Sequence, residues 1–436
     1  MRTCEASPVR LTGSPSEPEL AFLPWALPLE EWPDDLVVAL PRGISRHVVR
    51  FVRINGVVYA IKELEAPFAQ REYALLFELG RRDLPSVEPV GVVLERTSAE
   101  GEELPAALIT RHLEFSLPYR ALFSSRLRDE TATRLLDALA VLLVQLHLTG
   151  FSWNDCSLSN TLFRRDAGAF AAYLVDAETG ELHPSLSVGQ RAYDLETAAT
   201  NVAGELMDLQ AGGRLQDGID PIVTGVSIRT RYDALWQAAT GTAVIARGDR
   251  YQLELQIRRL NELGFDVAEL QVETQPDGEH ITVSPKVVDA GHHTRRLIRL
   301  TGLDAEENQA RRLLNDLDYY RIKIGLGPQD EEIAAHRWVT ERFERVMRAV
   351  PAEMRGKLEP AEIFHEVLEH RWFMSERAGV SVPFGEAIDD YVATILAGKP
   401  DEQSVLGARV GSPSDETAEL RIVLAPEASA TPETEE

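Results

Sequence analysis

The sequence predicts an α+β fold, an antiparallel sheet followed by a mainly helical remainder, on three observations. β-Branched runs flank Asn55-Gly56, and Asn-Gly supplies the two left-handed residues a tight hairpin turn needs. Between about Glu130 and Leu148, Leu135, Leu136, Leu139, Leu142, Leu143 and Leu146 fall at the spacing of a buried amphipathic helix. Beyond Gly212-Gly213 helical patterns dominate, near Tyr251–Leu263, Asp304–Tyr319, Glu331–Val350 and Pro360–Arg377.

Taken in order, residues 1–35 are rich in Pro, Glu and Ser and read as a loose arm. Val37 to Leu40, His47 to Val52 and Val57 to Lys62 follow as strands. A helix near Pro67 to Leu79 opens on a proline, which a first turn tolerates because its N–H has no partner there. Val87–Leu94 and Ala106–Thr110 supply two further strands, and the leucine-rich helix comes next. The loop Asn154–Asn160 precedes short strands at Thr161-Leu162-Phe163 and Ala172-Tyr173-Leu174-Val175. The glycine pair marks a boundary, so residues 36–212 read as one domain and 213–400 as a second, mainly helical one. In the second, Asp304 with Glu307 makes a capping box, and Val267 to Val283 a hairpin turning at Pro276-Asp277-Gly278. Residues 401–436 read as a disordered acidic tail; Ser412–Glu436 holds seven acidic residues against one arginine.

Composition narrows the function classes. A chain of 436 residues has room for two domains or three. A formal charge of -25 repels polyanions and disfavours nucleic-acid and anionic-membrane partners, while leaving room for a local basic pocket. The longest apolar run, Ala138 to Val144, falls far short of the roughly 20 residues a membrane span needs. Met1 to Pro15 lacks the apolar core of a signal peptide. Two distant cysteines, Cys4 and Cys156, offer neither a disulfide framework nor metal spacing, and point to a reducing cytoplasm.

Three short segments carry the candidate chemistry. Lys62 ends the strand Val-Tyr-Ala-Ile-Lys; such an ammonium bridges phosphates when a helix carboxylate, here Glu72, holds it, and is otherwise an exposed edge-strand lysine. In Asn154-Asp155-Cys156-Ser157-Leu158-Ser159-Asn160 an aspartate and an asparagine stand five apart: the one accepts a hydroxyl proton, the other ligates a cation, or both belong to an Asx-rich turn. Asp176 follows the apolar run Leu174-Val175 and either projects a hard oxygen towards a metal or ends a strand in a turn. Further on, Asp194 in Tyr193-Asp194-Leu195-Glu196 caps a helix or braces the loop.

In this order and spacing, over Val57–Asp208, the parts resemble the protein-kinase-like superfamily, especially sugar and small-molecule kinases of the aminoglycoside and lipopolysaccharide-core type. The whole chain also resembles a bacterial family that joins this half to the domain of unknown function 4032. The first resemblance implies a two-lobed fold and an ATP- and Mg2+-dependent transfer to a hydroxyl. On it, Lys62 contacts the nucleotide's phosphates and Glu72 positions it, Asp155 is the catalytic aspartate, and Asn160 and Asp176 hold magnesium. Gly43 lies in the phosphate-covering loop with Arg42, Ser45 and Arg46, and the adenine sits near Arg111, His112 and Leu113. The acceptor is a small molecule, a saccharide or a protein. The alternative is a pseudokinase or nucleotide-gated scaffold that binds a protein partner through its C-terminal domain.

Departures from the family are specific. Trp153 stands where histidine is usual, so the loop is braced some other way. Ala177-Glu178 replaces Phe-Gly, adding a carboxylate, and no Ala-Pro-Glu segment follows. His365-Glu366-Val367-Leu368-Glu369-His370 imitates a zinc-protease helix, but Glu369 stands where the second histidine is needed, leaving a solvated polar face. His292-His293-Thr294-Arg295-Arg296 with Arg299 pairs with acidic surface or binds a phosphorylated ligand. Trp338, Phe343, Trp372 and Phe373 read as core.

Overall fold

The computed structural model describes residues 10–13, 18–38, 47–124, 129–241, 243–246, 265–274 and 280–403. The amino-terminal lobe is a six-stranded antiparallel sheet of β1 (Arg10–Gly13), β2 (Val37–Val38), β3 (Val49–Ile54), β4 (Val57–Leu64), β5 (Pro89–Leu94) and β6 (Ala106–Arg111), ordered β1-β5-β6-β4-β3-β2. Asn55, at φ 51°, and Gly56, at φ 86°, turn β3 into β4, two positive values that a type I′ turn requires. Alternation then sorts the faces. Leu64, Val92, Leu94 and Leu108 join α1 (Ala66–Arg81) in the main core, whereas Val52, Tyr59, Ile61, Val93, Ala107 and Ile109 face the other way.

That second face corrects the loose-arm expectation. Leu20, Leu23, Trp25, Leu29 and Trp32 are buried against it, and β1 pairs with β5. Arg96, fully buried, locks the segment by donating to the carbonyls of Trp25 and Leu27 and to the Glu63 carboxylate at 2.7 Å. Proline and glutamate dominate the composition here and hide five widely spaced apolar anchors.

The second lobe comprises β7 (Leu117–Pro118), α2 (Tyr119–Ser124), α3 (Asp129–Leu148), β8 (Phe151–Ser152), β9 (Thr161–Asp166), β10 (Ala169–Leu174), β11 (Glu181–Leu182), α4 (Val188–Ala211) and α5 (Pro221–Thr240). Leu135, Leu139, Leu142, Leu143 and Leu146 of α3 are buried in one core with Val202 and Leu206 of α4. Among the described residues, α3 is the helix long and apolar enough to cross a membrane, but most of that stretch is buried inside the lobe. Gly212-Gly213 ends α4 without ending the lobe. α5 folds back so that Ile228, Tyr232 and Ala239 enter the same core, which therefore continues past the boundary expected at 212.

The C-terminal part holds β12 (Ala243–Ala246), β13 (Phe265–Thr274) and β14 (His280–Ala290), ordered β12-β14-β13. The helices α6 (His292–Thr301), α7 (Glu307–Lys323), α8 (Glu331–Trp338), α9 (Glu344–Ala349), α10 (Pro360–Ala378) and α11 (Phe384–Thr394) follow. The segment 251–263, the turn at 276–278 and residues 404–436 lie outside the described residues. The expected tail does not begin at 401, because Glu402 is buried and its carboxylate lies 2.7 Å from Arg165. The capping box shifts as well: Glu306 caps α7 with Gln309 reciprocating, while Glu307 accepts from His293 and Thr294. Arg296 of the basic stretch pairs with Glu331. His365 is buried rather than solvated, since it shares the inner face of α10 with Phe364 and Val367. Trp338 and Phe343 are core and Phe373 is half-buried, but Trp372, on the outer face of α10, is 58% exposed.

Candidate nucleotide and metal site

β4 carries Lys62 to the sheet's inner face, and α1 brings Glu72 beneath it. Lys62 Nζ lies 3.0 Å from Glu72 Oε2, 2.8 Å from Asp176 Oδ2 and 3.4 Å from Glu178 Oε2. Three carboxylates thus surround one ammonium, their oxygens within 4.8 Å of one another. Burial pushes the Glu72 carboxyl up to about 7, Asp176 adds repulsion, and Lys62 only partly offsets both. Burial opposes the Lys62 charge, but Glu72 and Asp176 outweigh it and raise its pKa. This excess of hard anionic oxygens suits a divalent cation. His47 Nε2 sits 2.9 Å from Glu178 Oε2, linking the sheet to the segment after Asp176.

The loop between β8 and β9 is built from its neighbours. Asp194, fully buried on α4 and not at its cap, accepts from the backbone N–H of Trp153 at 2.7 Å and of Asn154 at 2.8 Å. It also lies 3.0 Å from His147 Nε2, and His147 Nδ1 lies 2.8 Å from the Tyr232 hydroxyl. An ionised carboxylate only accepts, so the His147 proton is assigned to Nε2. Asn154 adopts φ 64°, a left-handed conformation that Asn tolerates better than most residues. Trp153 answers the missing histidine: its indole Nε1–H donates to the Asp176 carbonyl at 2.8 Å, tying the loop to the segment that bears Asp176. The ring is large enough to span that gap while fully buried.

Asp155 and Asn160 meet across the loop, Asn160 Nδ2 donating to the Asp155 carbonyl at 3.0 Å and to its Oδ2 at 3.2 Å. Asn201 Nδ2 holds Asp155 Oδ1 at 3.1 Å, and Glu205 accepts from the amides of Leu158 and Ser159. Sequence reasoning missed both, yet Asp194, Asn201 and Glu205 stand seven and four apart, one helical stripe of polar residues facing the loop. The Asn160 carbonyl accepts from Val175 N–H at 3.0 Å, so Asn160 and Asp176 are neighbours at one end of β9–β10. Lys62, Glu72, Asp176, Asp155 and Asn160 are therefore linked through Trp153 and the β9–β10 hairpin. Arg111 is not part of this set: it pairs with Glu88 on the exposed rim. Gly43 lies outside the described residues. Next to Arg111, His112 packs edge-on to Phe51, burial pushes its pKa down to about 4, and its Nε2 is buried with no protein partner.

Residues 50–197 match the lipopolysaccharide kinase (Kdo/WaaP) family model, and residues 234–396 match a domain of unknown function, DUF4032. The chain joins a kinase-like domain to a DUF4032 domain. Its sheet and helical lobe form the α+β, two-lobed kinase-like fold. One similar solved structure, titled "WaaP in complex with acyl carrier protein", shares 17% identity over 58% of this chain and 99% of that one, with a TM-score of 0.34. No curated protein matches the chain.

Proposed function

We propose that the kinase-like domain transfers the γ-phosphoryl group of ATP, with Mg2+, to a hydroxyl of a saccharide or other small-molecule or protein acceptor. The observation that carries this reading is the convergence of Lys62, Glu72 and Asp176, tied by Trp153 to the loop bearing Asp155 and Asn160. Lys62, released from part of its carboxylate cage, pairs with phosphate oxygens while Glu72 keeps its direction. Asn160 turns its amide N–H groups to Asp155, leaving its oxygen for the cation beside Asp176. Bound Mg2+ would neutralise charge on the phosphates. The acceptor hydroxyl oxygen attacks the γ-phosphorus, the bond to the β–γ bridging oxygen breaks, ADP leaves and Asp155 takes the hydroxyl proton. The buried Cys156 thiol fits a reducing cytoplasm.

The test is phosphate transfer from γ-labelled ATP to candidate acceptors or water. Asp155→Ala should cost about 10²–10⁴ in turnover while nucleotide binding persists; unchanged turnover would remove Asp155 from this role. The second reading, a nucleotide-gated scaffold, is favoured by Glu178, whose contacts with Lys62 and His47 occupy the position of the family's glycine. ATP binding without transfer to any acceptor, unaltered by Glu178→Gly, would select it.

A further inference from the structure

The hairpin β9–β10 belongs to the kinase-like domain, and the DUF4032 domain reaches its turn. Its open end presents Asn160 and Asp176. Its ladder runs unbroken from Thr161 opposite Leu174 to Asp166 opposite Ala169. At the turn, Ala167 has φ 51° and Gly168 φ 83°, the type I′ geometry. An alanine there is strained and persists only where its surroundings hold it. Arg134 of α3 donates to the Gly168 carbonyl at 2.5 Å, and the DUF4032 domain holds Ala167 and the strand ends beside it. Glu362 of α10, buried, accepts from Ala167 N–H at 2.9 Å and from Gln309 Nε2 at 2.8 Å. Asp166 accepts from the Gln309 amide at 2.7 Å and from Asn308 Nδ2 at 2.8 Å, capping the first turn of α7 from outside that domain. Gln309 Nε2 also donates to the Arg165 carbonyl at 3.0 Å. Alongside, Arg164 pairs with Glu306 at 3.1 Å and with Glu359, and Tyr173 donates to Glu306 at 2.8 Å.

We infer that the DUF4032 domain is a working part of the cation site: Glu362, Gln309 and Asp166 are positioning residues that aim Asn160 and Asp176 through the hairpin. A six-residue strand is about 20 Å long at about 3.3 Å per residue, so a tilt of about 3° at the turn moves the open end about 1 Å. A misplacement of about that size is worth on the order of 10² in rate. Hydrogen bonds to the backbone of a turn fix its position more tightly than apolar contact, which is not directional. Here Glu362, Gln309 and Asn308 all make such bonds, directly or through Asp166.

The inference rests on the cation role given to Asn160 and Asp176, and the full-length chain tests the two separately. In Glu362→Ala, hydrogen exchange at Val175 and Glu178, beyond the clamp, should quicken about tenfold, while the α3 amides that report global opening stay unchanged. ATP affinity with Mg2+ should fall about tenfold, and affinity for ATP in EDTA should hold within about twofold. Glu362→Gln, which keeps an acceptor for Ala167, should restore most of both. Asn308→Ala, a milder lesion, should move both in the same direction by about threefold. His370→Ala, which breaks a pair with Asp390 elsewhere in the same domain, should move neither. Faster exchange confined to residues 165–169, or an equal rise in α3, overturns the clamp while leaving Mg2+·ATP binding intact. Absence of Mg2+-dependent ATP binding by the unaltered chain overturns the cation role itself, and the inference with it.

Discussion

Replacing Asp194 by asparagine should loosen the loop that carries Asp155. The carboxylate is fully buried and takes three donors: the amides of Trp153 and Asn154 and His147 Nε2. Asparagine has the same shape but one oxygen. If that oxygen keeps Trp153 and His147, the new NH2 faces the Asn154 N–H, and a buried donor loses its acceptor. An unmade buried hydrogen bond costs about 1–3 kcal/mol, and a charge-assisted bond downgraded to a neutral one about 1 kcal/mol more. Removing a buried charge also removes its desolvation cost, which keeps the total to about 2–4 kcal/mol. The loss falls on a residue at φ 64° and its tryptophan neighbour, whose indole fixes the Asp176 carbonyl. Turnover should therefore drop about 10²-fold, beyond any loss of folded protein. Urea unfolding of the Asp194→Asn variant and γ-phosphate transfer below its unfolding midpoint measure both. Stability within about 0.5 kcal/mol of the parent together with full turnover would refute the claim that this carboxylate builds the loop.

Other outcomes follow from the same contacts. Lys62→Met should weaken Mg2+·ATP binding at least about tenfold by calorimetry. Left without its ammonium, Glu72, already near 7, should hold its proton to higher pH. Glu306 is raised to about 8, chiefly by burial, against Arg164 and with help from Asp166. Because the folded state keeps a proton that the unfolded chain releases from about 4.5, stability should fall as pH rises from about 5 to 8. Asp166, near 6, adds to the fall; His112, near 4 when folded, instead adds stability as pH rises from about 4 to 6.5. Urea midpoints from pH 5 to 8 should show a shallower fall in Glu306→Gln. Gly225→Ala would place a Cβ 2.4 Å from the Ala199 carbonyl where α5 crosses α4, costing about 2 kcal/mol or more by urea unfolding. Gly204→Ala, on α4 with nothing within 4 Å, should instead stabilise by about 0.5–1 kcal/mol.

The elements with strong local signals were legible from residues alone. The Asn55-Gly56 hairpin, the leucine helix and the helices near Asp304–Tyr319, Glu331–Val350 and Pro360–Arg377 declare themselves because a turn type or a period of 3.6 is written in neighbours a few positions apart. The candidate groups Lys62, Glu72, Asp155, Asn160 and Asp176 could be named for the same reason, each being a short motif in a fixed order. Composition misled where it averaged over sparse anchors. Trp25 and Trp32 are core residues inside a Pro- and Glu-rich stretch, and His365 and Trp372 exchanged the surroundings expected of them.

By itself the sequence determined the elements with strong local patterns and the order of the reactive groups. Tertiary structure alone decided what braces the loop in place of the family's histidine, that Asn201 and Glu205 reach it from α4, and that Arg111 turns outward to Glu88. It alone showed Glu362, 195 residues away, gripping the turn of the hairpin whose far end carries Asn160 and Asp176. Hydrogen bonds form between atoms within about 3 Å, whatever the separation along the chain, so partners brought together by folding leave no periodic trace in sequence.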